Sequence, residues 1–320
     1  MISPLVSVII PAYNHEKYVQ ETIKSIIDQT YQNIELLIVD DGSKDSTWQK
    51  IQESENECRK RFVNIHFETK KNEGVCKTLN RLLSLAKGEY VYLIASDDLA
   101  KPDAIKKEAE FLNNNPGYTL AVGNNDIIDS ESRVCYWNKK REIVYDIKKA
   151  KSKTFVEYLK RHNNFFNEKD FGKYSTIFRG NYIPNGYLLR KSIFNKIGFF
   201  PEQNITEDYW LMMQISKYSK MKYIDEVLFS YRWHNSNTIK NVEKIKTMGY
   251  NTLALEVDIQ NNLDRNSVNK DVLDTIDNGA IDKKTGIPFL FEIVSRKKAT
   301  YKIKSVYLFN IKIFECRKNY

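Results

Sequence analysis

Blocks of apolar residues recur along residues 1–115 with two different spacings. Four short, β-branched runs predict strands, and the segments between them carry apolar residues three and four positions apart, which is typical of amphipathic helices. The alternating order of strands and helices predicts an α/β fold with a mostly parallel sheet covered by helices on both faces. The predicted strands are residues 6–10, 34–39, 63–67 and 90–94, and the predicted helices are residues 15–29, 46–61, 75–86 and 102–112.

Polar residues follow three of these strands at the point where each strand ends. Asn14 comes after the first strand, Asp40 and Asp41 end the second, and Asp97 and Asp98 follow the fourth. The carboxyl ends of parallel strands meet at one edge of a sheet, where α/β proteins bind ligands. One carboxylate of the last pair can bind a divalent cation that bridges to phosphates, or both are ordinary acids of a surface loop. The earlier pair can accept hydrogen bonds from ribose hydroxyls or from a base.

The second half of the chain is less regular. Apolar patterns predict strands at residues 120–122 and 227–233 and helices at residues 207–219 and 242–263. Residues 165–187 are rich in Phe and Tyr and are predicted to form a loop. Their rings either stack on the sugar rings of an acceptor or belong to an ordinary core.

The composition excludes several classes of protein. Hydrophobic residues make up 42% of the 320 positions, too many for a disordered chain, and no apolar run reaches the roughly 18–20 residues of a membrane span. The N-terminal residues lack the basic start and cleavage site of a secretory signal. The four scattered cysteines indicate neither a zinc site nor a disulfide framework. We therefore expect a cytoplasmic protein.

The net charge of +9 is concentrated at the C-terminus. Residues 295–320 contain eight basic residues and one acidic residue among Tyr, Leu, Phe and Ile, whereas residues 1–150 have a net charge of −2. A basic amphipathic segment can lie on an anionic membrane surface without crossing it; the alternative is a solvated run of charge. A nucleic-acid-binding protein would carry its basic residues on the folded domain, so we expect no nucleic-acid partner.

Several well-known catalytic motifs are absent from the sequence. It contains no phosphate-binding loop of the GxxxxGK[ST] type and no GxGxxG fingerprint, which argues against a nucleotide triphosphatase and a nicotinamide dehydrogenase. It also lacks the HExxH spacing of metalloproteases and the GxSxG elbow of serine hydrolases.

Five segments of the N-terminal half match, in order and spacing, those of glycosyltransferase family 2: residues 6–14, 39–47, 72–75, 88–91 and 96–98. Further on, residues 206–210 resemble the family's Glu-Asp motif, and residues 231–234 resemble its tyrosine-arginine-x-histidine segment.

The members of this family are inverting nucleotide-sugar enzymes, so the resemblance implies a GT-A fold, with a Rossmann-like sheet flanked by helices, over residues 1–235. Residues 1–130 would be the nucleotide-sugar-binding half and residues 131–235 the acceptor-binding half. Residues 236–320 would form a helical extension with the basic amphipathic tail.

The resemblance also implies a role for each matching residue. Asp208 would be the catalytic base, Asp98 would hold the metal ion on the diphosphate, and His234 would contribute to that metal site. The residues expected around the donor are Pro11, Ala12, Tyr13 and Asp41 at the base, Asp97 at the ribose or sugar, and Lys77 as a source of positive charge. Two alternatives stay open, since His234 can be structural and Asp208 can be an acid favoured by the helix dipole.

Two positions depart from the family pattern. Ala95 stands where many members have the first Asp of an Asp-x-Asp-Asp segment, and Leu79 stands where many have Arg, so that Lys77 would supply the charge. These departures keep a second function open, that of a catalytically weak nucleotide-sugar or carbohydrate-binding protein with a decayed site.

The function that the resemblance implies is metal-dependent sugar transfer with inversion. The donor would be a nucleotide sugar, with UDP expected, and the cofactor Mn²⁺ or Mg²⁺. The metal would neutralise the leaving diphosphate, and Asp208 would remove the proton of the attacking hydroxyl. The acceptor would be a lipid-linked glycan in the synthesis of O-antigen, capsule or another bacterial surface polysaccharide, at the inner face of the cell membrane.

Overall fold

A computed structural model describes residues 3–162, 166–167 and 169–277, and the backbone of residues 292–298, 301–308 and 311–319. The strands of its main sheet are β1 (Val6–Ala12), β2 (Ile34–Asp40), β3 (Asn64–Thr69), β4 (Tyr90–Leu93), β5 (Leu99–Ala100), β6 (Tyr118–Ile128), β7 (Val134–Trp137), β8 (Ile143–Val144), β9 (Tyr187–Arg190) and β10 (Lys220–Arg232). The α-helices are α1 (Val19–Ile27), α2 (Thr47–Glu53), α3 (Glu55–Arg61), α4 (Val75–Leu85), α5 (Ala104–Asn114), α6 (Phe155–His162), α7 (Tyr174–Ile177), α8 (Phe194–Ile197), α9 (Glu207–Tyr218), α10 (Val242–Asn261) and α11 (Lys270–Asp277).

The main sheet has the order β3-β2-β1-β4-β9-β6-β10-β5, with β7 added to β6 and β8 added to β7. The first four strands are parallel, β9 is antiparallel to both of its neighbours, and β6 and β10 are parallel to each other. Two reversals restore the original direction, so β1, β2, β4 and β10 all end at the same edge. The predicted mostly parallel sheet is confirmed.

Helices cover both faces of this sheet because its central strands are apolar on both sides. In β1, Ile9 packs into the core beneath α4 and α9, whereas Val8 and Ile10 pack into the opposite core beneath α1 and α5. Successive side chains of a strand point to opposite faces, so a continuous apolar run is what a doubly covered strand requires.

The described part of the aromatic segment 165–187 packs into the core, which favours the second of the two alternatives left open by the sequence. Tyr174, Phe178, Tyr182 and Tyr187 are buried in the cluster that lies beneath α9. This burial is not evident from the sequence, because the aromatic residues do not follow the spacing of a helix or a strand. Phe165 itself lies outside the described residues.

The C-terminal helix α10 packs against α9 through a buried ion pair. Lys217 Nζ on α9 lies 2.7 Å from Oε1 of Glu256 on α10, and both side chains are fully buried. Tyr174 donates a hydrogen bond to the same oxygen at 2.6 Å, and Gln214 donates to Oε2 at 2.7 Å. The position of α10 is therefore set by polar contacts within the core.

The expected helical extension covers α10 and α11 but not the tail. The backbone of β11 (Glu292–Lys298), β12 (Tyr301–Leu308) and β13 (Ile311–Asn319) forms an antiparallel three-stranded sheet. The expected membrane-binding residues 295–320 fall on these strands or outside the described residues. Among the described helices, none combines the length and apolar character needed to cross a bilayer.

Candidate active site

The loop that follows β4 brings one carboxylate against two imidazoles. Asp97 is 8% exposed, and its Oδ2 lies 2.9 Å from Nε2 of His234 and 3.7 Å from Nε2 of His15. One ligand atom from each of the three residues lies within 4.8 Å of the others. Nitrogen and oxygen atoms gathered in this way can hold a divalent metal ion.

The pKa shifts of His15 and Asp97 suit metal binding. Burial lowers the pKa of His15, although the charge of Asp97 opposes the shift, so a lone pair is available near neutral pH. Burial alone would raise the pKa of Asp97, but the hydrogen bond with His234 and the electrostatic attraction of the nearby His15 ring outweigh it and hold the pKa below its usual value. Neutral imidazole and ionised carboxylate are the forms that bind metals.

His234 is held in place by the turn that follows β10. Its Nδ1 lies 2.8 Å from the hydroxyl of Ser236, and its backbone N–H donates to Oδ1 of Asn237 at 2.6 Å. Asn237 in turn donates to the carbonyl of Arg232 at 3.0 Å. A partner on one ring nitrogen fixes the orientation of the other, so Nε2 is directed at Asp97.

Asp98 turns away from this group. Its Oδ1 accepts from the backbone N–H of Arg232 at 2.8 Å, and its carbonyl accepts from the hydroxyl of Thr22 at 2.8 Å. Burial and the charge of Asp97 raise the pKa of Asp98 well above its usual range. The structure thus places Asp97 beside the imidazoles, whereas the sequence led us to expect Asp98 at the metal and Asp97 at the ribose or sugar.

Asp41 ties the loop before α4 to the end of β2. It forms an ion pair with Lys70 and accepts from the backbone N–H groups of Glu73 at 3.0 Å and Gly74 at 2.8 Å. Burial would raise the pKa of Asp41, but these three partners lower it below the usual value. If the N–H group of a nucleotide base bound Asp41, it would share the carboxylate with these three existing partners.

The residues at the end of β1 differ in what they offer a nucleotide. Ala12 is buried in the core, Pro11 is half-buried, and Tyr13 is 42% exposed. Asn14 then adopts a left-handed backbone (φ 53°) and accepts from the N–H of Lys44 at 2.9 Å. Of the three residues expected at the base, Tyr13 therefore presents the largest free surface.

Lys77 lies on α4 between two acidic side chains. Its Nζ is 3.4 Å from Glu202 and 3.7 Å from Glu73. Both pairs are well exposed, so they constrain the lysine weakly.

Two adjacent carboxyl groups, Glu207 and Asp208, begin α9. Asp208 accepts from Asn181 Nδ2 at 3.0 Å and from the N–H of Tyr209 at 2.6 Å. Burial raises the pKa of Asp208, and burial together with the charge of Asp208 raises the pKa of Glu207 to about 7. Both carboxyl groups therefore hold a proton more readily than an exposed acid does.

Tyr231 on β10 interacts electrostatically with both the loop after β4 and the start of α9. Burial raises the pKa of Tyr231, Arg141 lowers it, and the charges of Asp98, Asp97 and Asp208 raise it. The tyrosine hydroxyl is thus within electrostatic reach of both the loop after β4 and the start of α9.

Two residues of this site were missed from the sequence. His15 directly follows the matching segment at the end of β1, so its position was a usable signal. Asn181 lies in the irregular aromatic segment, where no pattern marks it.

The comparison with known proteins identifies the family. Residues 7–198, more than half of the chain, match glycosyl transferase family 2. The chain belongs to glycosyl transferase family 2. This membership confirms the resemblance inferred from the sequence and establishes the protein as a glycosyltransferase.

Relatives of this family member come from several bacteria. An uncharacterized glycosyltransferase of Haemophilus influenzae is 32% identical over 244 residues, which cover 73% of this chain and 67% of that protein. A Bacillus subtilis protein provisionally named the teichuronic acid biosynthesis glycosyltransferase TuaG is 38% identical over 109 residues, or 34% of this chain and 42% of that protein.

Solved structures share the GT-A fold. S. aureus TarS 1-349, in complex with UDP-GlcNAc, superposes with a TM-score of 0.56 at 19% identity over 79% of this chain and 66% of that chain. The mannosyltransferase PcManGT of Pyrobaculum calidifontis, in complex with GDP-Man and Mn²⁺, gives 0.51 at 16% identity over 72% of this chain and 57% of that chain. The chain thus spans less than two thirds of both neighbours.

Proposed function

We propose that this glycosyltransferase moves a sugar from a nucleotide-sugar donor to a hydroxyl group of a glycan, with inversion at the anomeric carbon. The observation that carries the proposal is the group formed by His15, Asp97 and His234 at the carboxyl edge of the sheet, within 4.8 Å of one another. It lies where an α/β sheet binds its ligand.

The three side chains would hold one divalent ion, and Asp97 takes the role expected of Asp98. Two imidazole nitrogens beside one carboxylate favour Mn²⁺ over Mg²⁺, because Mg²⁺ sites are built from oxygen ligands. A bound divalent ion would neutralise the charge of the leaving nucleoside diphosphate.

Asp208 would act as the general base toward the acceptor hydroxyl. Asn181 orients its carboxylate through a hydrogen bond of 3.0 Å. Glu207 accepts a proton near pH 7 and so does not compete for the role at and below that pH. A raised pKa brings Asp208 closer to the working pH, which strengthens general-base catalysis.

The donor would be a UDP-sugar. Tyr13 presents an exposed ring and Asp41 a buried carboxylate at the ends of adjacent strands, where the nucleotide would lie. The complex of TarS with UDP-GlcNAc supports UDP as the first nucleotide to test.

The acceptor would be a lipid-linked glycan of a bacterial surface polysaccharide, such as O-antigen or capsule. The similarity to TuaG, whose name refers to teichuronic acid biosynthesis, supports a surface polymer. The eight basic residues of the segment 295–320 would hold the enzyme on the inner face of the cell membrane.

The test is a donor panel with metal. Protein is incubated with Mn²⁺ and UDP-, GDP- or dTDP-sugars, and release of the nucleoside diphosphate is measured. We expect one donor to be consumed, EDTA to abolish the reaction, and Asp208→Asn to lower turnover by about 10²–10⁴-fold while donor binding persists.

The matched control is Asp258→Asn, which removes an exposed carboxylate of α10 and should leave turnover unchanged. Full turnover in Asp208→Asn would overturn the assignment of the base. Donor binding without turnover in the unaltered protein would instead support the catalytically weak binding protein.

A further inference from the structure

A pocket of about 840 Å³ opens beside His234. Most of its wall comes from the turn after β6, the segment between β7 and β8, and the residues that follow β10, and Lys17 and Tyr18, between β1 and α1, complete it. The strands next to most of these residues, β6, β7, β8 and β10, lie beyond β4 and β9 in the sheet order, whereas the residues expected at the nucleotide follow β1 and β2. Most of the pocket therefore lies away from the residues expected at the nucleotide, and His234 joins it to the group of His15, Asp97 and His234, the metal-capable group.

Arg141 is the central cation of this pocket. Its guanidinium carbon lies 4.4 Å from the ring centre of Trp137, 4.5 Å from that of Trp233 and 4.6 Å from that of Tyr158. Arg141 also has a left-handed backbone (φ 64°), an uncommon conformation for a residue with a side chain. Three rings and a strained turn thus hold the guanidinium in one position.

The guanidinium has donors that these contacts do not use. Nε and Nη2 of Arg141 are buried without a hydrogen-bond partner in the described part of the chain. Aromatic faces attract a cation but accept little from its N–H groups. Buried donors in folded proteins are nearly always hydrogen-bonded, so two free ones on one planar group indicate a ligand with paired oxygen atoms.

Two lysines add positive charge to the same pocket. Lys240 Nζ lies 4.5 Å from the ring centre of Trp233, and Lys17 also lines the pocket, without an ion pair to any described residue. Burial lowers the pKa of Lys240, and the charge of Arg141 lowers it further. Arg141 and Lys240 are close enough to repel each other, and an anion between them would relieve that repulsion.

The acidic residues of the pocket do not neutralise these cations. Glu131 and Glu142 both lie on its walls, and Glu142 accepts a hydrogen bond from Asn138 at 2.8 Å. Neither carboxylate forms an ion pair with Arg141 or Lys240 in the described structure.

We propose that this pocket binds a phosphate group of the acceptor substrate, with Arg141 as the bidentate donor. The inference rests on the proposed function and specifies its acceptor class, a glycan that carries a phosphate ester or a lipid-linked phosphate. Arg is suited to this role because its planar fork matches two phosphate oxygens. Bound there, the phosphate holds the acceptor beside His234.

The experiment uses inorganic phosphate as the probe and the full chain. Trp137 and Trp233 flank Arg141, so their fluorescence reports binding, and titrations are run with and without saturating UDP and Mn²⁺. We expect Arg141→Gln to weaken phosphate binding by about 10–100-fold, the loss typical of a charged hydrogen bond. Lys140→Gln, an exposed neighbour with the same charge change, should stay within about twofold of the unaltered protein.

Arg141→Lys provides a second variant with the charge preserved. It should also weaken binding, because an ammonium group cannot make the paired contact. Equal affinities in all three variants, no phosphate response in the unaltered protein, or displacement of phosphate by UDP would each overturn the proposal; displacement would assign the pocket to the donor diphosphate. A separate UDP titration distinguishes this failure from failure of the proposed glycosyl-transfer function.

Discussion

The buried ion pair between α9 and α10 allows a quantitative prediction. Replacing Glu256 by Gln keeps the shape of the side chain but removes the charge opposite Lys217. Glu256 accepts from Lys217 at both carboxylate oxygens, from Tyr174 at 2.6 Å and from Gln214 at 2.7 Å. The substituted amide would offer a single acceptor oxygen to the same donors, and its NH₂ group would face one of them.

The expected cost follows from leaving a buried charge unpaired. Removing one partner of a buried pair lowers stability by about 3–5 kcal/mol, and the retained amide oxygen places this change near the lower end, about 3 kcal/mol. Domains of this kind have a free energy of unfolding of about 5–15 kcal/mol, so the urea midpoint should fall clearly.

The measurement is urea unfolding followed by circular dichroism, with Glu243→Gln as the control. Glu243 pairs with Lys246 at 2.8 Å, but its side chain is 84% exposed, so we expect a change within about 0.5 kcal/mol. If Glu256→Gln and Glu243→Gln shifted the midpoint equally, the buried pair would not hold α10 against α9 and the reasoning would fail.

Three further predictions concern the active site. In a Mn²⁺ titration, Asp97→Asn should weaken metal binding at least about tenfold. Asp98→Asn should leave metal binding nearly unchanged and lower the stability of the fold instead. If Asp98→Asn weakened Mn²⁺ binding more than Asp97→Asn, Asp98 would be the metal ligand. A general base must be ionised, and burial raises the pKa of Asp208. On acidification, kcat/KM should therefore begin to fall at a pH above 3.8, the usual pKa of an aspartate, and it should be constant at pH values above that fall. A kcat/KM that does not change with pH down to about 4 would argue against Asp208 as the base. Gly42 has φ +70°, and an added Cβ would lie 2.7 Å from the backbone nitrogen of Asn72. Gly42→Ala should therefore lower the free energy of unfolding by more than about 1 kcal/mol and weaken UDP binding. An unchanged UDP affinity would show that this turn is not part of the donor site.

The sequence predicted the sheet edge well because strand ends are local features. The β-branched runs, the polar residues after them and the order of elements are all readable within a few positions. The choice between Asp97 and Asp98 was not readable, because neighbouring residues at a strand end point in different directions. Asp98 is held by the backbone N–H of Arg232 at 2.8 Å, a partner 134 positions away in the chain, and Asp97 lies beside the imidazoles.

In the second half of the chain, hydrophobic patterns predict the structure less well. The strand β9 enters the sheet antiparallel between β4 and β6, and its four residues carry no period that distinguishes it from the aromatic segment before it. Asn181 was invisible because its role depends on one hydrogen bond to a residue 27 positions away. The role of such a residue depends on the residue it contacts in the fold, and a single sequence does not show that contact.

The family match ends at residue 198, yet parts of the site come from beyond it. His234 completes the metal-capable group, and Arg232, two residues before it, is fully buried beneath the loop after β4. The guanidinium of Arg232 donates to the carbonyl of Asp97 at 2.6 Å and to Glu21 at 2.6 Å. The same side chain therefore fixes the end of β10 against the loop that carries Asp97, and so sets the distance between Asp97 and His234. The pocket around Arg141 is lined by His234 and the residues that follow it, so a group bound there would contact the segment that positions this imidazole against Asp97.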